Sequence, residues 1–313
     1  IDGGLSWVGL NKDKIIDPAS RGQRWISSVA CNKSFCVIAG SYNNYAPSSA
    51  YLPYILIKPT NSDTWTLVDQ ANIRFPIDFK EAGMNLTARC NDQACLLAGT
   101  YQSIDNITKP MILISIDGSH WEAINLTNLH LPDGIALTGL HCSGMSCSAL
   151  GKQTQNSQIS HVIVLNSLDY GKNWSAVFPN ITTTYTTGNL FCSVMGCIGL
   201  NNDENVPNIL TSNVERTIWE TVPKENIIWP SSCISSTKYL YSVSCSLNTC
   251  VTVGDACGSK PLLLVNTNQG IWRGVESNSI DIPNNTSLYC DEVAYNGGNF
   301  ICAGSSYNNS PRN

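Results

Sequence analysis

Hydrophobic residues occur along this chain in short runs of three to five, and longer polar stretches separate the runs. The apolar positions do not recur at the 3.6-residue spacing of an amphipathic helix, and runs of this length are typical of buried strands. They are far shorter than the roughly 20 residues of a membrane-spanning helix, so we expect no membrane anchor. The pattern therefore predicts an all-β protein. The main runs of strand-forming residues lie at 54–57, 111–114, 162–165, 208–210 (which begins with Asn208) and 262–265.

A tryptophan follows each of these runs after a short polar turn. It marks the start of a further strand, so each unit contains a strand, a turn and a strand beginning at tryptophan. Trp7 supplies a sixth copy of the marker near the start of the sequence. The other five are Trp65, Trp121, Trp174, Trp219 and Trp272.

Cysteines repeat with the same period. Five C-x4-C pairs follow one another at intervals of 59, 52, 50 and 53 residues, and the four histidines do not track them, which argues against zinc sites. The spacing favours a disulfide across each β-hairpin, where opposed Cα atoms lie about 4.5 to 5.5 Å apart. We expect seven disulfides and no metal. The pairs are Cys31/Cys36, Cys90/Cys95, Cys142/Cys147, Cys192/Cys197 and Cys245/Cys250, with Cys290/Cys302 and Cys233/Cys257 outside the pattern.

Four strands in each unit of about 50 residues are typical of a blade, and blades packed radially bury both faces of each sheet. The sequence therefore predicts one domain over 1–313, a six-bladed β-propeller with four-stranded antiparallel blades. The predicted blades cover about 24–68, 87–124, 139–177, 189–222, 240–275 and 288–313, the last completed by residues 1–10.

The sixth blade is incomplete in this prediction. Trp7 supplies the marker that the C-terminal segment lacks, so we expect the N-terminal strand to complete this blade and close the ring. The tail from Ser305 is polar and reads as a loop, which leaves the blade without a third strand. Either the blade has three strands or the sequence lacks residues at one end.

The turn before the tryptophan strand carries a motif. Residues 167–174, Ser-Leu-Asp-Tyr-Gly-Lys-Asn-Trp, resemble the Asp box (BNR repeat) S-x-D-x-G-x-x-W of sialidase-like propellers. Residues 115–121 and 1–7 are variants of the box, and those at 60–65 and 266–272 are degraded. The resemblance implies a structural turn, with Asp bonding backbone amides and Trp packing between blades. It indicates fold and not chemistry.

The amino-acid composition indicates the cellular compartment and excludes two classes of partner. The chain has 313 residues, a net charge of −5, 42% hydrophobic and only 13% charged residues, and it contains 33 Asn, 35 Ser and 22 Thr. No basic field is present to attract nucleic acid or an anionic membrane. Paired cysteines indicate an oxidising compartment, so we expect a secreted, extracellular or periplasmic protein whose signal peptide is removed or outside this sequence. Nine N-x-S/T sequons make glycosylation a hypothesis, and the oligomeric state stays open.

A binding site is expected on the face of the propeller that carries the long loops. The predicted loops are 12–24, 41–51, 69–86, 100–109, 125–134, 152–160, 177–189, 201–206, 224–237 and 277–286. These loops are rich in tyrosine and neutral amides, which suit a glycan or a protein partner equally. The sequence therefore favours a non-catalytic binding propeller that needs no cofactor. The candidate ligand-binding residues are Tyr42, Asn43, Tyr45, Tyr101, Asn202, Trp229 and Tyr307.

Two alternatives come from other classes of protein. A glycoside hydrolase or lyase would need two carboxylates across a sugar, and a structural subunit of an extracellular assembly would need only the scaffold. Sialidase chemistry is disfavoured, because the seven arginines do not supply the three that hold the substrate carboxylate in that family. We assign no catalytic residue. The loop-face carboxylates are Asp69, Asp78, Glu81, Asp105, Asp133, Asp203, Glu204, Asp255, Glu276 and Asp281.

Overall fold

The structure is a computed structural model and consists of strands, turns and short 3-10 segments, with no α-helix among the residues that it describes. The chain divides into two compact units, Ile1–Asn180 and Ile181–Asn313. The described residues are 15–16, 23–43, 50–156, 159–183, 189–203, 206–233, 238–256, 260–267, 270–276, 279–280 and 286–308.

The first unit contains three antiparallel meanders, sheets 1 to 3, in which each strand pairs with the next along the chain. Sheet 2 departs from the simple order, since two short strands share the position of its first strand. Sheet 1 has strands Gln23–Cys31, Phe35–Asn43, Tyr51–Pro59 and Trp65–Leu67; sheet 2 has Phe79–Ala82, Thr87–Cys90, Cys95–Ser103, Thr108–Ser115 and Trp121–Ala123; sheet 3 has Ile135–Ser143, Ser146–Asn156, Ile159–Ser167 and Ser175–Val177.

The second unit contains sheets 4 and 5, which follow the same order, and two two-stranded ribbons. Ser306–Asn308 is a strand, so the expectation of a polar loop after Ser305 is wrong; its backbone pairs with Thr286–Leu288. Sheet 4 has strands Leu190–Ser193, Gly196–Asp203, Val206–Ser212 and Trp219–Thr221; sheet 5 has Lys238–Cys245, Cys250–Ala256, Lys260–Asn266 and Trp272–Gly274; the other ribbon has Glu292–Tyr295 and Phe300–Ala303; Thr182–Thr183 is a further short strand.

A short parallel strand covers the tryptophan edge of three sheets, a feature that the sequence pattern does not predict. Ile15–Ile16 pairs with sheet 1, Ile73–Arg74 with sheet 2 and Ile227–Ile228 with sheet 5. The last two come from polar connections that sequence alone reads as loops, each after a 3-10 turn, Gln70–Asn72 or Lys224–Asn226. Covering an edge strand occupies backbone groups that would otherwise pair with another chain.

The cystine hairpins form as predicted. In each C-x4-C copy the two cysteines are directly opposed in neighbouring strands and are joined by a disulfide. Their Cα atoms are 4.0 to 4.1 Å apart, which corrects the expected separation of about 4.5 to 5.5 Å. The five disulfides are Cys31–Cys36, Cys90–Cys95, Cys142–Cys147, Cys192–Cys197 and Cys245–Cys250.

The second cysteine of each pair lies in the second strand of its sheet and has a structural role. Cys147 is 0% exposed and Cys197 is 2% exposed. Cys36 is half-buried and packs against the cluster that contains Tyr54 and Leu56. These side chains therefore belong to the packed interior and not to a surface that could meet a ligand.

The remaining cysteines are also oxidised in the part of the chain that the structure describes. Cys290 is bonded to Cys302 across 5.8 Å between Cα atoms. Cys233 is disulfide-bonded, and its predicted partner Cys257 lies outside the described residues. No free cysteine is found among the described residues.

The residue after the first cysteine of each pair explains why these hairpins turn tightly. It is Asn or Ser in every copy. In sheet 1 the Asn32 Oδ1 atom accepts hydrogen bonds from the amides of Ser34 and Phe35, and in sheet 5 the Ser246 Oγ atom accepts from those of Asn248 and Thr249. Such side chains replace the backbone partners that the turn leaves free.

Glycine at the fourth position after the second cysteine has a packing reason. A Cβ atom at Gly40 would collide with the carbonyl oxygen of Trp25, and one at Gly254 with that of Tyr239. Both carbonyls lie next to a register shift in the first strand of the sheet, at 26–28 and 240–242. A bulge turns the backbone toward its neighbour there, and only glycine leaves room.

The core lies between the faces of consecutive sheets within each unit. Trp121 and Trp272 are each 1% exposed and belong to the clusters between sheets 1 and 2 and between sheets 4 and 5, while Trp174 of sheet 3 is half-buried. The tryptophans therefore pack between sheets, as the Asp-box resemblance implies. Apolar burial of this kind is the main stabilising contribution.

Serine and asparagine side chains form hydrogen bonds between consecutive sheets. The Ser27 hydroxyl donates to the Leu86 carbonyl at 2.6 Å and accepts from the Leu86 amide at 3.1 Å, which links sheets 1 and 2. In the second unit, the Asn202 amide makes two such bonds with Leu240. The polar composition thus has a structural use, because these groups satisfy backbone atoms that sheet pairing leaves free.

Ring closure is not shown by the described residues, so the six-blade count and the blade limits stay predictions. Trp7, Tyr45 and the N-terminal Asp-box copy lie outside those residues, as does the whole segment 1–10. What the structure establishes is repeated four-stranded meanders with hairpin disulfides, in two compact units.

Candidate functional site

The Asp boxes are structural turns. In sheet 3 the Asp169 Oδ1 atom accepts from the amides of Lys172 and Asn173 at 3.1 and 2.8 Å, and the Trp174 indole donates to the Gly171 carbonyl at 2.8 Å. Gly171 has φ 91°, a conformation that favours glycine. Burial alone would raise the pKa of Asp169, but the hydrogen bonds from Asn173, Ser167 and Lys172 hold it below its usual value. The carboxylate is thus used within the turn.

The box of sheet 2 repeats this arrangement, and sheet 4 reaches it with other residues. There Asn213 takes the place of the aspartate, since its Oδ1 atom accepts from the amides of Thr217 and Ile218 at 2.8 and 3.0 Å. Arg216 occupies the glycine position with φ 60°, and its carbonyl accepts the Trp219 indole. Sequence matching to the box misses this copy because none of its defining Asp and Gly residues is present.

A cavity of about 630 Å³ lies in the first unit, on the side of sheet 2 from which the long connections leave. Two of those connections line it, through Phe75–Asp78 and through 124–133, together with Tyr101 and Lys109 of the second and third strands. Both connections belong to the loops expected to carry function. The cavity is therefore the candidate site.

Sheet pairing positions the polar group at the centre of this cavity. Tyr101 and Lys109 are directly opposed in neighbouring strands, so their side chains emerge side by side. Asp78 lies over both: the Tyr101 hydroxyl donates to its Oδ1 atom at 2.8 Å, and the Lys109 ammonium lies 2.7 Å from its Oδ2 atom. The Asp78 carbonyl accepts the Ile104 amide at 2.9 Å, which holds the loop in place.

The three groups fix one another's protonation. The hydrogen bond from Lys109 is the main reason that the pKa of Asp78 lies below its usual value, although burial opposes it. The same bond raises the pKa of Lys109. Burial, followed by the hydrogen bond to Asp78, raises the pKa of Tyr101. At neutral pH the site therefore holds a carboxylate, an ammonium and a protonated phenol.

Apolar and aromatic surface surrounds these polar groups. Phe75 lines the cavity and stacks on Phe79, with ring centroids 4.1 Å apart, and Phe79 stacks on Tyr101 at 5.8 Å. Leu126 and Leu131 line the cavity too. A cavity with apolar walls and a few directional polar groups is typical of small-molecule sites.

A second cavity, of about 520 Å³, lies at the Asp-box end of sheet 2. Four of its five ionisable side chains, all but Lys172, are already paired: Arg74 lies 3.9 Å from Glu122, and the His120 Nδ1 atom lies 2.8 Å from Asp117. We therefore regard it as the weaker candidate.

The residues that sequence analysis nominated are distributed over both units, and the structure does not test their role in binding. Tyr101 lines the cavity but is only 6% exposed. Tyr42 packs edge-on against Tyr54 at 6.3 Å, and Asn43 is half-buried beside it in the second strand of sheet 1. These assignments stay predictions.

The remaining nominees lie in the second unit. Asn202 is 2% exposed, and both polar ends of its amide bond to Leu240, so the amide is used within the fold. Lys238 places its ammonium 5.3 Å from the centre of the Trp229 ring. The backbone of Tyr307 is in a strand, and its side chain lies outside the described part of the structure.

Sequence reasoning included Asp78 and Asp133 only among ten scattered carboxylates and did not single out Lys109. The sequence predicts a loop over residues 100–109, but the structure places Tyr101 and Lys109 opposite each other in the second and third strands of sheet 2. The contribution of Asp78 comes from a connection with no regular pattern, so the sequence alone does not bring it to this pair.

Neither a metal centre nor a membrane span is found in the part of the chain that the structure describes. No group of three or more His, Cys, Asp or Glu side chains is close enough there to hold a metal ion. Within the same residues, no helix has the length and apolarity to cross a bilayer.

The fold is similar to that of sialidases. A Trypanosoma rangeli sialidase in complex with the inhibitor DANA aligns with a TM-score of 0.56 and 11% identity over 90% of this chain and 52% of that chain. A subtype N11 neuraminidase-like protein of A/flat-faced bat/Peru/033/2010 (H18N11) aligns with a TM-score of 0.51 and 11% identity, over 87% of this chain and 77% of that chain. The chain thus spans about half the length of the sialidase.

The sequence matches no protein-family model and no curated protein. At such low identity the structural likeness establishes the fold alone, which is a sialidase-like β-propeller fold with disulfides. The six disulfides in which both cysteines are among the described residues are consistent with an extracellular protein.

Proposed function

We propose that the protein binds a carbohydrate in the cavity beside sheet 2 and does not transform it. The observation that carries this proposal is the lining, in which Phe75, Leu126 and Leu131 offer apolar surface beside the Asp78–Lys109 pair. Sugars present apolar C–H faces and directional hydroxyls, and this combination of surfaces suits both. The similarity to a sialidase in complex with the inhibitor DANA adds support for a glycan ligand.

The state of the polar groups supports binding over hydrolysis. A glycosidase needs one carboxyl group that donates a proton and a second carboxylate opposite it. Both oxygens of Asp78 are occupied, and its lowered pKa keeps it ionised, so it is a poor general acid. The buried Tyr101 hydroxyl holds its proton because its pKa is raised, which makes it a poor nucleophile.

A glycan array read with Lys109→Met tests the binding proposal. We expect the wild-type protein to bind a subset of glycans. The variant should bind the same glycans at least about tenfold more weakly, because it lacks one charge-assisted hydrogen bond. Lys58→Met is the matched control. Lys58 also lies in the third strand of its sheet, but that sheet is sheet 1, and its ammonium donates to the Ser62 carbonyl at 2.8 Å. The control should bind like the wild type.

Two results would contradict the proposal. If the protein binds no glycan and captures a protein partner instead, its ligand is a protein and not a carbohydrate. Release of sugar from aryl glycosides by the wild type, abolished in Asp78→Asn, would make it a hydrolase. If Lys109→Met does not fold, Phe75→Ala removes the aromatic wall and leaves the ion pair, and it should weaken the same glycans.

A further inference from the structure

The side chains that line the cavity beside sheet 2 carry more negative than positive charge. Its lining contains two carboxylates, Asp78 and Asp133, against one ammonium, Lys109. His130 is the remaining ionisable side chain of the lining apart from Tyr101. With histidine neutral, a ligand in this cavity meets an excess of negative charge.

The single ammonium is not free to receive an anion. Lys109 lies 2.7 Å from Asp78, and its charge is further stabilised by Asp133 and Asp105. A carboxylate on a ligand would have to compete with Asp78 for this ammonium, and the excess negative charge of the lining would oppose it. Asp78 is half-buried and Asp133 is exposed, so water and salt screen part of this repulsion and make it depend on ionic strength.

We infer that the cavity selects uncharged sugars and rejects sugars that carry a carboxylate. This inference rests on the proposed function and specifies its ligand class. A sugar hydroxyl can accept a hydrogen bond from the Lys109 ammonium and can donate one to the Asp78 or Asp133 carboxylate, so it need not displace the ion pair. An ionised carboxylate has no proton to donate and cannot bond to either aspartate. The apolar surface of Phe75 and Leu131 suits the neutral ring equally well.

Matched pairs of sugars test the selectivity: glucosides against glucuronides, and galactosides with and without a terminal sialic acid. Binding is measured by titration and by saturation-transfer NMR at pH 8, above the range in which histidines titrate. We expect each acidic member to bind at least about tenfold more weakly than its neutral partner. Raising the salt from about 0.02 to about 0.5 M should narrow this ratio, because screening weakens the repulsion.

The double variant Asp78→Asn/Asp133→Asn supplies the second arm. It removes both carboxylates and leaves the Lys109 ammonium unpaired, so the acidic members should gain at least about tenfold relative to the neutral ones. Asp92→Asn is the control, since Asp92 is 70% exposed and paired with Lys33 in an exposed contact of 3.6 Å.

The outcomes separate the two claims. Acidic members that bind the wild type as well as neutral ones overturn the selectivity and leave sugar binding in place. If the ratio of the affinities for neutral and acidic sugars does not change with salt, the selectivity is likewise overturned and sugar binding stays in place. Binding of no sugar from either group overturns the proposed function, and the selectivity with it. The salt series needs no substitution, so the test stands even if the double variant does not fold.

Discussion

At the scale of single residues, Asp78 makes stability depend on pH. Its pKa is lowered in the folded protein, so its contribution is fully present above the unfolded-state value of about 3.9. The contribution is lost as the pH falls through the folded-state value. We expect Asp78→Asn to lower the free energy of unfolding by about 1 kcal/mol at pH 6 to 7, a modest value because the pair is partly exposed. The deficit should shrink below about pH 4.

Urea unfolding of wild type and variant from pH 3 to 7 measures this deficit. Asp92→Asn serves as the comparison, because its exposed pair with Lys33 should contribute almost nothing at any pH. A deficit for Asp78→Asn that is constant over the whole range would show that ionisation of this carboxyl group does not stabilise the fold.

The sequence predicts residue types at a site better than it predicts their partners. Tyr101 is nominated as an aromatic residue of a predicted loop, and the structure puts it in a strand that lines the cavity. Asn202 has the same polar character, yet its amide is bonded to Leu240 of the next sheet. Both outcomes depend on contacts between segments tens of residues apart, which local pattern does not encode.

At the scale of elements, the Asp-box turn needs an acceptor at a defined point more than it needs a charge. Asp169 in sheet 3 and Asn213 in sheet 4 each accept from two successive amides. We therefore expect Asp169→Ala to lower the free energy of unfolding by about 2 kcal/mol and Asp169→Asn by less than about half of that. The asparagine keeps an oxygen in place, and the alanine leaves the amides to water.

Thermal and urea unfolding of the two variants decide between geometry and charge. Equal losses in both would mean that the negative charge itself holds the turn. Gly171→Ala provides an independent measure, because φ 91° is strained for alanine, and it should destabilise by about 1 kcal/mol or more.

Elements are predicted from sequence where a periodic signal exists. The cystine hairpins recur about every 50 residues and are confirmed. The strand predicted to begin at tryptophan does so in sheets 1, 2, 4 and 5, whereas in sheet 3 it begins at Ser175, one residue after Trp174. The parallel strands at 73–74 and 227–228 are two residues long and lie in polar connections. Ser306–Asn308 likewise lacks apolar residues apart from the tyrosine. Backbone pairing across the chain creates these strands, so composition does not reveal them.

At the scale of the whole molecule, the ribbon near the end of the chain bears on the prediction that the propeller ring is closed. Glu292–Tyr295 and Phe300–Ala303 form only two paired strands, and Tyr295 and Ile301 are 37% and 43% exposed among the described residues. An isolated two-stranded ribbon is marginally stable in water. Sheets 1 to 5 have at least four strands each, whereas this ribbon has two and is held to sheet 5 by packing of Val293 against Val251 and by the Ser242 hydroxyl, which accepts the Val293 amide at 3.1 Å. A further strand would complete it as a sheet. The predicted source of that strand is the segment 1–10.

Deleting residues 1–10 tests this prediction by hydrogen exchange. If the segment completes the last sheet, amides of 292–295 and 300–303 should exchange at least about tenfold faster in the truncated protein, because local opening there costs less. Amides of Trp65–Leu67 are the internal control: Ile15–Ile16, which the deletion spares, pairs with that strand, so its exchange should not change. Trp7→Ala in the full chain should produce a smaller effect in the same amides, since it removes the side chain and keeps the backbone pairing. Unchanged exchange at 292–303 would place the strand elsewhere and leave the ring unclosed at this point, whereas faster exchange at Trp65–Leu67 alone would assign the N-terminal segment to sheet 1.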